Sequence, residues 1–231
     1  QSIGEAVPTE IFFQIACNIR GFMEQEHFDN SMINKTIEDY QLDSPDNLID
    51  FIVNNPLNLG SASLARIAEL TNSKRENNAA YYTNKFIVNE IYKQLPEFEK
   101  EEINILEPSV GVGNFLPFLF KKYENVKRVN IDVADKKNLQ ILQLLLQKKK
   151  MPSNVNINYI NTDTLLYDFK KRYDLVVGNP PFSKLKAKDA KKYLENNINK
   201  NTTNTFEFFL EKALAISDYV SMIMPKAILN T

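Results

Sequence analysis

The sequence predicts an α/β fold, a mainly parallel sheet behind a helical N-terminal part, from three observations. From Ile103 onward short apolar runs alternate with helix-length segments, the pattern of strand–helix–strand units. A tight glycine turn, Gly111-Val112-Gly113, joins the first of those runs to the helix after it. Ahead of Ile103 the apolar residues recur at helical spacing instead. A chain of 231 residues buries a substantial core as one large domain, or one plus a small one. The expected division is a helical subdomain over residues 1–78 and a sheet domain over residues 79–231.

Composition narrows the function classes. The net charge of −1 gives no bulk pull toward nucleic acid or acidic membranes. A single cysteine, Cys17, excludes a disulfide framework and fits a reducing bacterial cytoplasm. With His27 the one histidine, no zinc-type cluster and no metal are expected. No apolar run is long enough to span a bilayer and no secretory-signal pattern is visible, so no membrane partner is expected.

In order, Pro8 to about Phe28 carries Ile11, Phe12, Ile15, Ile19, Phe22 and Met23 as one helical stripe. Ser44-Pro45-Asp46 is a helix start with proline in its first turn. Leu48, Ile49, Ile52 and Val53 continue that stripe until Asn55-Pro56 ends it. Ser61 or Ser63 caps a third helix through Leu64, Ile67 and Leu70. This prefix reads as a docking or substrate-gripping subdomain or, since no charged face stands out, as helices packed on the core. Cys17 and His27 are structural within it. Lys74 to Asn78 is a polar linker, and Thr83 or Asn84 caps a helix from about Phe86 to Leu95.

The first strand covers Ile103 to Leu106, and Glu107-Pro108-Ser109-Val110-Gly111-Val112-Gly113-Asn114-Phe115 leads into an apolar helix ending near Tyr123. Glycines there let the backbone approach a ligand closely. The turn departs from the dinucleotide pattern G-x-G-x-x-G: it has two glycines, with an acid ahead of them. Glu107 repels a pyrophosphate and suits a positively charged ligand end. The second strand, from about Val126, ends at Asp132, about twenty residues beyond the turn, where an acid grips ribose hydroxyls in such folds. A helix from about Lys136 to Lys149 precedes the third strand, Asn156 to Ile160, and then Asn161-Thr162-Asp163-Thr164. Asp163 is placed to accept from an adenine amine. One Asp at a strand end is ordinarily a turn residue; three acids at successive strand ends, facing one crevice, ask for a ligand.

The fourth strand, Asp174 to Gly178, runs into Asn179-Pro180-Pro181-Phe182. Proline fixes its own φ and keeps the residue before it out of the helical region, so this loop is a stiff, extended shelf. Taken alone, Asn-Pro-Pro is ordinary loop punctuation. Beside a ligand crevice, the same set suits methylation of a planar amine. An amine conjugated to a ring is a poor nucleophile because its lone pair is delocalised. If the Asn179 side-chain oxygen and the Pro180 carbonyl accept its two N–H bonds, the lone pair is left out of plane for in-line attack.

The ordered set resembles the S-adenosylmethionine-dependent adenine-specific DNA methyltransferases of type II restriction–modification systems. The segment from Glu107 to Leu116 is similar to their cofactor loop, and Asn179-Pro180-Pro181-Phe182 matches their catalytic loop. Tyr82-Thr83 resembles their cofactor-lining segment, with Ala80 and Asn84 where such enzymes often carry glycine and proline. Asn204 to Ala213 resembles the helix before their fifth strand, and Tyr219 to Pro225 that strand. The resemblance covers about residues 80 to 231. It implies a Rossmann-like class I methyltransferase fold with a doubly wound sheet. It also implies two more strands and a target-recognition domain after the fifth strand, so the sequence reads as the catalytic front of a longer enzyme.

By resemblance, the methyl donor's amino-acid end meets Tyr82, Thr83, Glu107, Pro108, Ser109, Asn114, Phe115 and the turn at Gly111 and Gly113. Asp132 meets its ribose; Val133, Asp163, Thr164 and Phe209 surround its adenine; Asn179 faces its methyl. Asn179, Pro180, Pro181 and Phe182 are the catalytic group, with Phe182 stacked on an adenine flipped out of double-stranded DNA. The product is S-adenosylhomocysteine and no metal takes part. The stretch from Ser183 to Thr203 is a loop in which Lys184, Lys186, Lys188, Lys191 and Lys192 meet DNA phosphates. A cognate restriction endonuclease is a further expected partner. Three alternatives stay open: a protein-glutamine N5-methyltransferase, an RNA adenine or guanine methyltransferase, and a non-catalytic specificity or assembly subunit.

Overall fold

The computed structural model describes residues 31–76, 85–195, 199–226 and 228. Its five strands are β1 (Glu102–Glu107), β2 (Arg128–Asp135), β3 (Val155–Asn161), β4 (Tyr173–Gly178) and β5 (Ser217–Met222). They pair in parallel in the order β3-β2-β1-β4-β5. The helices are α1, over residues 31–39, α2 (Pro45–Asn54), α3 (Ser61–Glu76), α4 (Lys85–Gln94), α5 (Leu116–Lys122), α6 (Leu139–Gln147), α7 (Ala187–Leu194) and α8 (Thr205–Ile216). The parallel sheet expected from the strand–helix alternation is present. No described helix is long and apolar enough to cross a membrane.

Parallel neighbours need a crossover, and each crossover helix must cover a face of the sheet. The chain winds outward from β1 through β2 to β3, then returns to the far side of β1 for β4 and β5. That reversal puts a switch point between β1 and β4, where loops diverge and a crevice opens outside the carboxyl ends. The β1–β4 register stops at Leu106↔Val176, whereas β1 and β2 stay paired through Glu107↔Val133.

Strand alternation divides the core. Ile103, Ile105, Ile131, Val133, Leu175 and Val177 face Leu116 and Leu119 of α5 and Leu142 and Leu146 of α6. Leu106, Ala134 and Val176 face the other way, toward Ala213 of α8, and Tyr173, at the first position of β4, packs with them. Covered on both sides, β4 is buried along its whole length, which accounts for its apolar run Leu175-Val176-Val177. A second cluster brings Ile33, Leu48, Ile52, Leu64 and Ile67 from α1, α2 and α3 onto Ile141 and Leu145 of α6. Helix α6 thus has one face on the sheet and another under the prefix, so its apolar surface is wide and only a stripe of Gln140, Gln143 and Gln147 stays exposed.

Several boundaries differ from expectation for local reasons. Strand β2 does not end at Asp132; its pairing with β3 carries it to Asp135↔Asn161. Helix α6 starts at Leu139 rather than Lys136, because the Asp135 carboxylate accepts the N–H groups of Lys137 at 2.7 Å and Asn138 at 2.9 Å. That turn competes with the helical ladder. The lysine-rich stretch expected to be a loop contains α7, seated by buried Ala190 and by Tyr193 against Phe208, ring centroids 5.6 Å apart. Helix α3 runs on to Glu76, through part of the expected linker. The helix expected over Pro8 to Phe28, with Cys17 and His27, lies outside the described residues, as do Tyr82 and Thr83.

Leu145 is 1% exposed in the contact between α6 and the prefix. Leu145→Ala is expected to lower stability by about 2–5 kcal/mol, read as a lower urea midpoint. An unchanged midpoint would show that prefix and sheet domain do not stabilise one another through α6.

Candidate active site

At the carboxyl ends of β1 to β4 the diverging loops enclose a cleft of about 360 Å³. It is lined by Glu107 to Phe115 after β1 (Gly113 apart), Asp135 to Asn138 after β2, Thr162 to Thr164 after β3, and Asn179 to Pro181 after β4. Phe209 of α8 and Glu69 and Asn72 of α3 complete the lining. The glycine turn and the Asn-Pro-Pro shelf, far apart in sequence, therefore line one cleft.

Each loop is held by identifiable contacts. Gly111 and Gly113 have φ of 52° and 80°, left-handed values that favour glycine. At Gly113 a Cβ would lie 2.6 Å from Leu142 Cδ1, so this glycine is where turn and α6 pack closest. At Gly111 a Cβ would meet nothing, and its N–H donates to Asp135 Oδ2 at 3.2 Å. The Thr164 hydroxyl donates to the Pro108 carbonyl at 2.7 Å, pinning the loop after β3 to the loop after β1. Beyond the shelf, the Thr205 N–H donates to the Ser183 carbonyl at 3.0 Å, and the Thr205 hydroxyl bonds the Pro181 carbonyl. Phe182 lies past the cleft lining, edge-on to Phe206 with ring centroids 6.2 Å apart.

Electrostatically the cleft centres on Glu107. Its side chain is 1% exposed, and Oε2 accepts no hydrogen bond among the described residues; Ser109 Oγ is in the same position. Burial, and secondarily the charge of Asp135, pushes the Glu107 carboxyl well above the usual carboxylate range. A buried oxygen without a donor costs about 1–3 kcal/mol. It suits a ligand that brings a positive charge or a hydrogen-bond donor. Among the described residues no group of three His, Cys, Asp or Glu is disposed to hold a metal ion.

The expected residues divide by strand parity. Asp132 does not reach the cleft: it is 4% exposed, accepting from the Tyr173 hydroxyl at 2.5 Å and from Asn158 at 3.3 Å, with Lys171 Nζ 3.0 Å away. Val133 is fully buried in the sheet core, also away from the cleft. Asp135, three residues on and on the opposite face, is the acid at the rim. Asp163 lines the cleft but accepts from the Tyr193 hydroxyl at 2.9 Å and pairs with Lys192 at 3.4 Å. Lys192, expected at a phosphate, is thus engaged within the protein, while Lys184, Lys186, Lys188 and Lys191 are exposed. Sequence reasoning missed Asp135, Asn138, Glu69 and Asn72. Extending β2 three residues further would have found Asp135; in sequence nothing separates Glu69 and Asn72 from other polar residues of an amphipathic helix.

Comparison with known proteins follows the same lines. The Eco57I restriction-modification methylase model matches residues 63–231. Type II methyltransferase M.CvrRI of Paramecium bursaria Chlorella virus XZ-6E is 24% identical over 166 residues, 70% of this chain and 40% of that protein. Type II methyltransferase M.VspI of Vibrio sp. (strain 343) is 27% identical over 168 residues, with the same shares. The chain therefore spans 40% of the length of either relative. A Listeria monocytogenes structure assigned to the class I S-adenosylmethionine-dependent methyltransferases superposes with a TM-score of 0.52 at 15% identity. It covers 76% of this chain and 57% of its own, a likeness of fold.

The strained carboxyl makes a sign-specific prediction. Because folding raises the Glu107 pKa, its contribution to stability is present below the unfolded value and is lost as pH rises toward the folded one. Without ligand, Glu107→Gln should melt with the parent near pH 4 and above it at pH 8. The expected gap is about 1–3 kcal/mol, roughly 2–4 °C for each kcal/mol. A gap that narrows with rising pH would show that the carboxylate is satisfied in the fold.

Proposed function

This chain belongs to the Eco57I restriction-modification methylase family, and on that premise we propose that it transfers a methyl group from S-adenosylmethionine to the exocyclic amine of adenine in DNA. The observation that carries the reading is the shared cleft: the glycine turn with its donor-less Glu107 oxygen on one side, Asn179 and Pro180 on the other. The fit to the methyl donor rests on that oxygen, which matches a cationic amino-acid end, and on left-handed glycines that leave the backbone open to it.

When bound, the donor supplies an electrophilic methyl on a sulfonium centre. Glu107 and the Gly111 turn hold its amino-acid end, Asp135 its ribose hydroxyls, and Asp163 with Phe209 its adenine. Across the cleft, Asn179 and the Pro180 carbonyl accept the N–H bonds of the target amine and turn its lone pair toward the methyl. Asn179 and Pro180 would hold that nitrogen in line for the donor's methyl carbon, with the sulfur as the leaving group. The surplus amine proton leaves to water, and catalysis comes from position and fixed dipoles. Phe182, braced edge-on by Phe206, flanks the shelf and stacks on the ring that carries the amine. Lys184, Lys186, Lys188 and Lys191, exposed beyond the shelf, meet the phosphates of a duplex from which the adenine is extruded.

DNA is favoured over protein or RNA because the relatives quoted above are type II methyltransferases. Methyladenine in DNA from cells expressing the full-length gene is the expected readout by mass spectrometry; label appearing in protein or RNA instead would reassign the substrate. Asn179→Ala should lower transfer by a factor of at least about 100 while S-adenosylhomocysteine still binds. Retained transfer would remove the assigned role.

The two acids of β2 separate in the same binding assay. Asp135→Asn should weaken S-adenosylhomocysteine about tenfold, the worth of one charged hydrogen bond. Asp132→Ala leaves the Tyr173 hydroxyl without its acceptor and should cost about 1–3 kcal/mol of stability with affinity unchanged. The reverse pattern would return the ribose contact to Asp132.

A further inference from the structure

We infer that helix α3, outside the sheet domain in sequence, is a working part of the cofactor site, with Glu69 and Asn72 as positioning residues for two of its turns, the glycine turn after β1 and the turn after β2. The inference rests on the cofactor reading above and extends it to residues of the helical prefix.

Glu69 and Asn72 stand one helical turn apart, on one face of α3, and both line the cleft. Glu69 Oε1 accepts from Asn114 Nδ2 at 2.9 Å, just past the glycine turn. Its other oxygen faces Arg66 at 3.3 Å, which holds the carboxylate in place. Asn72 Nδ2 donates to Asn138 Oδ1 at 2.7 Å, in the turn after β2. Asn138 in turn donates through its backbone to Asp135 Oδ1 at 2.9 Å, and Asp135 Oδ2 accepts from Gly111 N at 3.2 Å. These contacts close a ring that runs from α3 through Asn114 to the glycine turn, on to Asp135 and Asn138, and back to α3.

The ring matters because each turn alone is poorly constrained. Two left-handed glycines give the loop after β1 conformational freedom, and three residues separate β2 from α6. Bracing both turns from one rigid helix sets the distance between the Gly111 amide and the Asp135 carboxylate before a ligand arrives, so less ordering is left for binding. Helix α3 is itself anchored, with Leu64, Ile67 and Ala68 packed beside Val112 of the turn and Ile141 and Leu145 of α6. Its position is therefore referred to the same α6 whose Leu142 touches Gly113.

The test is calorimetric titration with S-adenosylhomocysteine, with melting and amide hydrogen exchange of the unliganded protein measured alongside. Glu69→Ala should bind about tenfold more weakly, as expected for the loss of one hydrogen bond to a charged group. It should also speed exchange in the Gly111–Leu116 segment while β1 and β4 stay protected. Glu69→Gln keeps the oxygen that accepts from Asn114 and should restore both readouts. If Glu69→Gln loses as much affinity as Glu69→Ala, the residue acts through its charge on the ligand and the bracing role is overturned. Unchanged affinity and exchange in Glu69→Ala overturn it as well. Should Glu69→Ala fail to fold, Asn72→Ala tests the other end of the ring by the same criteria. If the parent protein binds no S-adenosylhomocysteine, the cofactor reading falls, and the exchange of the Gly111–Leu116 segment alone decides whether α3 braces the turn.

Discussion

A parallel strand at the centre of a sheet must be hydrogen-bonded on both edges and covered on both faces, and β1 meets that constraint by taking β2 on one side and β4 on the other. The rest follows from it. Because β2 and β4 are reached by crossovers on opposite sides, the loops leaving β1 and β4 separate, and a crevice opens above the strand ends. The groups that line the cleft stand at or after the ends of β1 to β4 or on helices α3 and α8. The glycine turn faces the Asn-Pro-Pro shelf because their strands are neighbours, although some seventy residues lie between them.

The cleft also carries a local penalty. Glu107 continues the buried Ile103 and Ile105 face of β1 to the strand end, into a position where no donor among the described residues satisfies Oε2. Hydrophobic packing elsewhere tolerates this, with Ile103 and Ile105 on the same strand fully buried. A group that weakens the unliganded fold and would be relieved by a cationic ligand is the usual signature of a binding site rather than of a core. Both loops that define the cleft fall within the residues matched by the family model.

Helix α6 connects this chemistry to the prefix. One side supports the sheet through Leu142 and Leu146, and the other receives α2 and α3 through Ile141 and Leu145. Any displacement of the prefix is thus felt at Gly113, which touches Leu142, and at Asn138, immediately before the helix. The prefix is joined to the cleft by apolar packing and by side-chain hydrogen bonds from Glu69 and Asn72, and it is wider in its consequences than a simple cover for exposed apolar surface.

Much of this was legible from the chain itself. Short apolar runs at β1 and β4, helical spacing in α2 and α6, and the glycines of a tight turn are local signals, set by the stereochemistry of a few consecutive residues. The stiff shelf at Pro180 and Pro181 belongs with them, since proline restricts φ wherever it stands. Tertiary structure alone decided which acid reaches the cleft, because pairing with β3 extends β2 to Asp135 and alternation turns Asp132 to the opposite face. It alone paired Lys192 and Tyr193 with Asp163, and brought Glu69 and Asn72 of α3 to Asn114 and Asn138. These contacts join residues tens of positions apart, and no local periodicity records a partner that only the packing of separate elements brings within hydrogen-bonding distance.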